Sequence, residues 1–408
     1  MLGRISFFKK FYFTLSMLLI AMPFLFFSAS SILSYDYPGF PESKLYVFIL
    51  LSLFVLFFIS HVIVSKINVT LINYFFPLLV LLIAYLSSII YDLNLGNFYI
   101  QYVLFVLPAI FFSIYIAKQA PIFIFSNYIL FFCLFNSLAY TLVISKMINL
   151  SPNDLINFFG GGHYQGYAYG VSLTYLFLLI YFLFYNNRNS FLLKILFFFV
   201  FVSHWFEVLL SGARGAFLVI FFGTFILLQV RFNFLKIFKI VLVVSLLTFL
   251  GLYLLSFFDF DFIDRFLLSF ERVFSYVSSE GIDMSNTSNR DEFYDFAIKL
   301  IKDKPFFGYG IFGYRKIMGA YPHNFFLEVL LQGGICLLFF WFFVLALFFI
   351  KLKKLLSLNS QHHYILAPII YSSFQLMFSG SYLIEPLFWF SLCYVFNVGN
   401  NSVFKGLL

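Results

Sequence analysis

Long apolar runs separated by short polar segments dominate this chain, and within the runs apolar and polar residues do not alternate. Continuous runs of this length predict membrane-spanning helices rather than the alternating strands of a membrane β-barrel. Twelve runs qualify, and the last is the shortest. They lie near residues 11–34, 45–64, 71–91, 98–117, 121–145, 167–185, 191–210, 215–230, 235–256, 325–350, 363–381 and 386–398.

Composition agrees with a membrane architecture. Of 408 residues, 63% are hydrophobic and 10% are charged, whereas soluble domains are about one quarter charged. The sequence therefore predicts an all-α polytopic membrane protein and excludes a soluble enzyme, a nucleic-acid-binding protein and a disordered scaffold. Cys133, Cys336 and Cys393 each fall inside an apolar run, which argues against a disulfide framework and against a metal site.

The loops between the runs segregate by charge. When they are assigned alternately to two sides, one side receives fourteen basic residues and no acidic residue. Cytoplasmic loops carry the excess of Lys and Arg, so this side is predicted to be the cytoplasm, with both termini in it. All seventeen carboxylates fall on the other side or in the outer ends of helices. A miscounted helix would scramble this asymmetry, which supports twelve spans.

One segment, residues 257–324, is too polar for the membrane and lies on the predicted outer face. It holds ten carboxylates and eight Lys or Arg. A capping-box pattern, Asn289 with Glu292, precedes an apolar stripe that Pro305 ends, so an amphipathic helix is expected. The stripe comprises Phe293, Phe296, Ala297, Leu300 and Ile301. The predicted divisions are nine helices over 1–256, the large outer loop over 257–324, and three helices with a cytoplasmic C-terminus over 325–408.

Four polar residues recur at helical spacing at the outer end of the seventh run: His204, Glu207, Ser211 and Arg214. The spacing places them on one stripe, and ionisable groups at membrane depth are functional candidates because they are costly there. Arg214 either extends to lipid phosphates while Glu207 neutralises it, or presents its planar guanidinium to a diphosphate, the interpretation we favour. For His204, a satisfied buried histidine is the open alternative.

A second polar group lies where the outer loop enters the tenth run. His323 can act as a general base at neutral pH, and Glu328 follows one turn after Asn324. The alternative is an interfacial histidine beside an Asn324 helix cap. Arg290 opens the amphipathic helix, where backbone N–H groups also attract anions, so Arg290 and Arg214 could hold one phosphate group from two sides.

Two motifs are set aside. Gly308–Gly313 matches G-x-G-x-x-G, but it follows a helix and a proline rather than a strand, so we interpret it as a turn. Asp259 and Asp261 resemble the D-x-D of sugar-nucleotide transferases, yet a lone pair of aspartates at a helix exit is more often solvated, and we predict no metal there.

Several of these segments occur in an order that resembles the O-antigen polymerase and O-antigen ligase superfamily, most strongly over 205–340. They are Ser211-Gly212-Ala213-Arg214-Gly215, Arg290 in the long loop, Pro305 with Gly308-Tyr309-Gly310, His323-Asn324-Phe325-Phe326-Leu327 and Gly333-Gly334-Ile335. The resemblance implies a glycosyltransferase on the outer face of the bacterial cytoplasmic membrane, whose donor is a glycan on undecaprenyl diphosphate. It further implies that Arg214 and Arg290 bind the diphosphate and that His323 lies beside the reacting hydroxyl. Residues 161–166 match the family's Gln-Gly pattern only loosely.

We therefore expect a polymerase of lipid-linked repeat units, with a ligase that transfers glycan to lipid A core as the nearest alternative. A lipid-linked oligosaccharide flippase is the alternative from another class; it predicts paired halves and charges at the midplane. No cofactor and no metal are expected, and the partners are the lipid-linked oligosaccharide, membrane lipids and a chain-length regulator. The predicted catalytic residues are His323, Arg214 and Arg290, and the predicted substrate-binding residues are Glu207, His204, Asn324, Glu328, His163 and Gln165.

Overall fold

A computed structural model describes residues 71–119, 133–143, 163–185, 191–233, 290–358 and 360–398, with short pieces at 11–12, 14–15, 52–53, 55–56, 59, 130, 236, 277–278 and 281–282. These residues form helices joined by turns and short irregular segments, with one antiparallel pair of two-residue strands among them, β1 (Val277–Ser278) and β2 (Gly281–Ile282). The predicted all-α class is therefore confirmed. The helices are α1 (Leu71–Tyr91), α2 (Gly96–Gln101), α3 (Leu107–Gln119), α4 (Cys133–Val143), α5 (His163–Ile180), α6 (Phe191–Ser211), α7 (Arg214–Arg231), α8 (Arg290–Asp303), α9 (Arg315–Met318), α10 (Phe325–Leu358), α11 (Leu366–Phe378) and α12 (Pro386–Asn397).

Four stretches of the described chain are long and apolar enough to cross a membrane. They are Gly96–Ala117, Gln165–Tyr185, Arg214–Arg231 and Phe325–Ser357. The first joins α2 to α3 through the π-helical turn Tyr102–Val106, and each coincides with a predicted span. The predicted spans 11–34, 45–64 and 235–256 lie almost wholly outside the described residues, as do residues 257–276 and 283–289. The count of twelve and the full extent of the outer loop therefore stay predictions.

Small residues set the distance between α5, α7 and α11, which pack together in the core of the bundle. The Ser172 hydroxyl of α5 donates to the backbone carbonyl of Ala216 in α7 at 3.1 Å. A Cβ added to Gly223 would press against Leu176 of α5 and Ile370 of α11. Close approach through small residues is typical of helix packing in membranes. We call the end of this bundle at which α7 and α10 begin the outer end, because the sequence predicts that it lies outside the cytoplasm.

The helix α10 is broken at Gly334, whereas the sequence predicts one uninterrupted helix. Gly334 has φ +59° and ψ −155°, and a Cβ there would collide with the backbone of Phe306. A break frees backbone groups that must find partners, and the loop 305–310 supplies them. The amides of Tyr309 and Gly310 donate to the carbonyls of Leu331 and Gln332 at 2.8 Å, and the amides of Ile335 and Cys336 donate to the carbonyls of Pro305 and Phe306 at 2.8 and 3.3 Å.

The segment Gly308–Gly313 begins in this loop and forms consecutive turns, as predicted. The amphipathic helix α8 ends two residues before Pro305, but its buried stripe is narrower than predicted. Ala297 and Leu300 are buried, whereas Phe293 and Phe296 are 37% and 39% exposed. The buried residues of α8 pack against a small cluster formed by Tyr314, Met318 and Leu331.

Candidate functional site

The connection between α6 and α7 places Arg214 at the start of a helix. The chain turns at Gly212, whose φ of +64° favours glycine, and Ala213 is extended. The predicted single stripe through His204, Glu207, Ser211 and Arg214 is therefore wrong, because Gly212 ends the helical register before Arg214. Arg214 instead opens α7, where the first backbone amides lack intrahelical partners and attract anions.

The start of α7 lies against Tyr169 of α5. A Cβ on Gly215 would collide with the Tyr169 hydroxyl and would lie 3.5 Å from the Cβ of Phe378. The Tyr169 hydroxyl is also 3.0 Å from the Ser379 hydroxyl, with which it shares a hydrogen bond. Gly215 therefore allows the Arg214 end of α7 to approach the C-terminal end of α11.

Ser379 also contacts His323, through its backbone carbonyl rather than its hydroxyl. The Nδ1 atom of His323 lies 3.2 Å from the Ser379 carbonyl oxygen, and the Tyr321 hydroxyl donates to the same oxygen at 3.4 Å. A carbonyl oxygen only accepts, so Nδ1 carries the proton of this bond and the neutral ring has its lone pair on Nε2. The imidazole is thus held in the tautomer that can accept a proton at Nε2.

The local backbone fixes this ring at the entrance to α10. His323 has φ +53°, an uncommon value for a residue with a side chain, and such conformations cluster at functional sites. Its ring lies against Tyr321 with centroids 4.4 Å apart. The next residue, Asn324, caps α10 as predicted, because its Oδ1 accepts from the amides of Phe326 and Leu327 at 3.0 and 3.2 Å.

Glu328 lies within a buried hydrogen-bond network. Its Oε1 accepts from the hydroxyls of Tyr314 at 3.0 Å and Ser381 at 2.7 Å, and from the Gln332 amide at 3.3 Å. The guanidinium of Arg315 is 3.8 Å away. This network ties the outer loop to α10 and to the turn that follows α11, which is the turn that presents Ser379. A substrate-binding role for Glu328 stays a prediction.

Arg315 connects this network to the histidine. Its guanidinium carbon lies 5.6 Å from the ring centroid of Tyr321 and 4.9 Å from that of Phe312, within cation–π range. Burial lowers the pKa of Arg315, but Tyr314 and Glu328 raise it more, so the net shift is upward. Burial raises the pKa of Tyr314 well above its ordinary value, and the carboxylate of Glu328 raises it further. A permanent positive charge therefore lies against the ring that packs on His323.

The other predicted histidine, His204, forms a separate pair deeper in the bundle. His204 Nδ1 and Glu207 Oε2 are 3.1 Å apart, and both side chains are wholly buried. The Ser137 hydroxyl lies 3.1 Å from His204 Nε2, and the Ser203 hydroxyl donates to Glu207 at 2.9 Å. Each ring nitrogen of His204 therefore has a polar neighbour.

The predicted site also includes His163, Gln165 and Arg290, and the structure describes the side chain of Gln165 only. α5 begins at His163, four residues earlier than the predicted span, so His163 and Gln165 lie in a helix rather than in a flexible loop. Gln165 precedes Tyr169 by one turn and is half-buried. Arg290 is the first residue of α8, as predicted. The side chains of His163 and Arg290, and the whole of Asp259 and Asp261, lie outside the described residues.

Four residues of this site were not predicted: Tyr169, Arg315, Tyr321 and Ser379. Gly380 after Ser379 is a sequence signal for a turn, but nothing in the pattern indicates which carbonyl meets a histidine 56 residues away. No sequence pattern distinguishes Arg315 from the other basic residues of the loop. Among the described residues no group of three His, Cys, Asp or Glu side chains could hold a metal ion.

Comparison with known proteins identifies one domain. Residues 197–342 match a family model described as O-antigen ligase. The matched region includes Glu207, Arg214, Arg290 and His323, and it ends before Ser379. No curated protein and no solved structure matches the chain. The resemblance to the O-antigen polymerase and ligase superfamily is confirmed over this region.

Proposed function

We propose that this protein, which carries an O-antigen ligase family domain over residues 197–342, is a membrane glycosyltransferase that polymerises surface polysaccharide. It would join repeat units carried on undecaprenyl diphosphate at the outer face of the bacterial cytoplasmic membrane. One observation carries the proposal: Ser379 links the two predicted catalytic centres. Its carbonyl meets Nδ1 of His323, and its hydroxyl meets Tyr169, which lies against the Arg214 end of α7.

In the proposed reaction, the hydroxyl oxygen of the acceptor sugar attacks the anomeric carbon of the donor glycan. The bond from that carbon to the diphosphate oxygen breaks, and undecaprenyl diphosphate leaves with the electron pair. His323 accepts the hydroxyl proton at Nε2, the nitrogen left basic by the bond from Nδ1 to Ser379. Atoms and charge balance without a further reactant.

The leaving diphosphate is proposed to bind where Arg214 meets the first turn of α7. Charge develops on the diphosphate as the glycosidic bond breaks, and fixed donors aimed at that charge are the most effective form of catalysis. Arg214 supplies a guanidinium, and the amides of the helix start supply a positive dipole end. Arg290, at the start of α8, is the proposed second arginine for the same group.

The ligase alternative uses the same donor and the same chemistry but transfers the glycan to lipid A core. It is supported by the description of the matching family model. The sequence from His323 through Asn324 to Glu328 favours the polymerase. In both alternatives the termini are proposed to be cytoplasmic and the domain boundaries are proposed at residues 256 and 324, with a chain-length regulator as a further partner of the polymerase.

Deletion of the gene, followed by electrophoresis of surface glycans and lipid-linked intermediates, distinguishes the two acceptors. A polymerase is indicated if long chains disappear while a single repeat unit still reaches the lipid core. A ligase is indicated if full-length chains accumulate on undecaprenyl diphosphate with none on the core. Repeating the reaction with purified protein in detergent, where no membrane separates two compartments, excludes a flippase if product still forms.

The residue assignment is tested by complementing the deletion with Arg214→Ala. The matched control is Arg231→Ala, at the other end of the same helix, where the side chain is exposed. We expect loss of long glycans with the first variant and normal glycans with the second, at equal protein amounts in the membrane. Normal glycans with Arg214→Ala would contradict the proposed diphosphate site.

A further inference from the structure

The loop that bonds to the break in α10 carries two neighbouring aromatic side chains with almost no protein around them. Phe306 is 62% exposed and Phe307 is 78% exposed. Large exposed apolar side chains that belong to a continuous apolar surface mark a region that binds an apolar partner. The backbone of the loop is fixed, because its amides and carbonyls bond to α10 on both sides of Gly334.

The position of this pair along the membrane follows from α10. About 20 residues of helix cross the hydrocarbon core of a bilayer, and Lys351 is the first of three lysines near the C-terminal end of α10. Counting back from Lys351 by that length reaches Leu331. The Gly334 break, and with it Phe306 and Phe307, therefore lies at the outer edge of the hydrocarbon core.

The surface around the pair is continuous with the lipid-facing side of α10. The Phe306 carbonyl accepts a hydrogen bond from the amide of Cys336, itself exposed. One turn further into the membrane, Phe339 and Phe340 are 68% and 56% exposed. No soluble protein would leave such a band in water, so lipid covers it, and the same lipid surface extends up to the loop.

Charge completes the pattern of a membrane anchor. Lys302 and Lys304 precede the pair and are exposed, and the Lys304 ammonium lies 4.5 Å from the centroid of the Tyr309 ring. Lysines beside an apolar surface are typical of the level where acyl chains meet phosphates, because their stems lie along the apolar surface while their ammonium groups reach the headgroups. A phospholipid leaflet offers acyl chains to the phenylalanines and phosphates to the lysines.

We propose that Phe306 and Phe307 insert into the outer leaflet of the bilayer and anchor the outer loop in it. The loop is then not a domain standing in water above the membrane: its tip rests at the acyl chain boundary, beside the α10 break that it closes. This anchoring is independent of the reaction that the protein catalyses.

Tryptophan fluorescence in proteoliposomes tests the anchor directly. Phe307→Trp is conservative and exposed, and the emission of the three native tryptophans is subtracted by measuring the unsubstituted protein. One control is Phe339→Trp, inside the span. The other is Ile317→Trp, on the short helix α9, where the side chain is 48% exposed.

Phospholipids brominated near the headgroup end of the acyl chain should quench the Phe307→Trp signal by about half, because interfacial indole lies at that depth. Lipids brominated near the terminal methyl should quench Phe339→Trp more strongly, and neither lipid should quench Ile317→Trp. Two results would overturn the proposal. If aqueous acrylamide quenches Phe307→Trp and brominated lipid has no effect, the loop lies in water. If neither quencher affects Phe307→Trp, the loop lies against protein. Phe306→Trp provides a second variant with the same expectations.

Discussion

His204 and His323 lie in the same helical bundle, but their partners differ. His204 is wholly buried between a carboxylate and a hydroxyl. His323 is half-buried at the entrance to α10 and gives one nitrogen to a backbone carbonyl. Both ring nitrogens of His204 therefore have side-chain neighbours inside the bundle, whereas the backbone carbonyl of Ser379 orients the His323 ring through Nδ1 alone and fixes its tautomer.

The cost of an ionisable residue in the membrane therefore does not by itself identify a catalytic group. His204 was a candidate on that ground, and His323 was a candidate as a general base where the outer loop enters the membrane. The surroundings separate them: His204 belongs to an internal pair that holds α6 to α4, and His323 belongs to a group that joins the outer loop, α11 and the start of α7. Substitutions in the two groups should therefore change different measurements.

The largest effect is expected for His323→Ala. Removing a general base lowers the rate by about 100-fold or more, while the α10 cap at Asn324 stays intact. The measurement is polymer formed per unit of purified protein, with the amount of folded protein checked by size-exclusion chromatography. His323→Ala with wild-type turnover would place the base elsewhere, and a collapse of folded protein would make His323 a structural residue like His204.

The second prediction concerns the His204–Glu207 pair. Glu207→Leu leaves the His204 ring without its carboxylate and should destabilise the protein by about 3 kcal/mol, whereas replacing both residues by leucine should cost much less, since breaking a buried pair is worse than removing it. Thermal unfolding in detergent measures both. The double variant could instead be at least as unstable as Glu207→Leu while both variants keep their turnover per folded molecule; the pair would then be structural, but not because of a buried unpaired group. Lost turnover with unchanged stability would make the pair catalytic.

The third prediction tests the contact between α7 and α5. Gly215→Ala should lower turnover about tenfold, because its methyl group displaces either the Tyr169 hydroxyl or the start of α7 that carries Arg214, and small displacements of a catalytic group are costly. Adding Tyr169→Phe removes the colliding oxygen and should restore part of the loss. The control is Gly380→Ala, where a new Cβ meets only ordinary contacts, the nearest at 3.5 Å. Equal turnover in Gly215→Ala and the unsubstituted protein would show that this approach is not required.

The described helices and several residues of the site could be predicted from the sequence, but the contacts that bring those residues together could not. Continuous apolar runs and the Asn324 cap are local signals, so the described spans and the start of α10 followed directly. The stripe through Arg214 was wrong because Gly212, one residue with a left-handed backbone, resets the helical register. Gly334 has the same effect in α10. Ser379 and Tyr169 had no local signal, because their role depends on contacts about 210 residues apart.

The smallest effect is expected at that long-range contact. Tyr169→Phe and Ser379→Ala each remove the one hydrogen bond between their hydroxyls and leave the Ser379 carbonyl that holds His323. A hydrogen bond of this kind is worth about 1 kcal/mol, so each variant should lose about fivefold in turnover, and the double variant should lose no more than either single one. The loss should appear in the maximal rate rather than in donor affinity, and the pH profile should broaden if the ring of His323 is less well fixed. Additive losses would mean that the two hydroxyls act separately, and the link between the arginine and histidine sides of the site would then have to run through the packing of Gly215 alone.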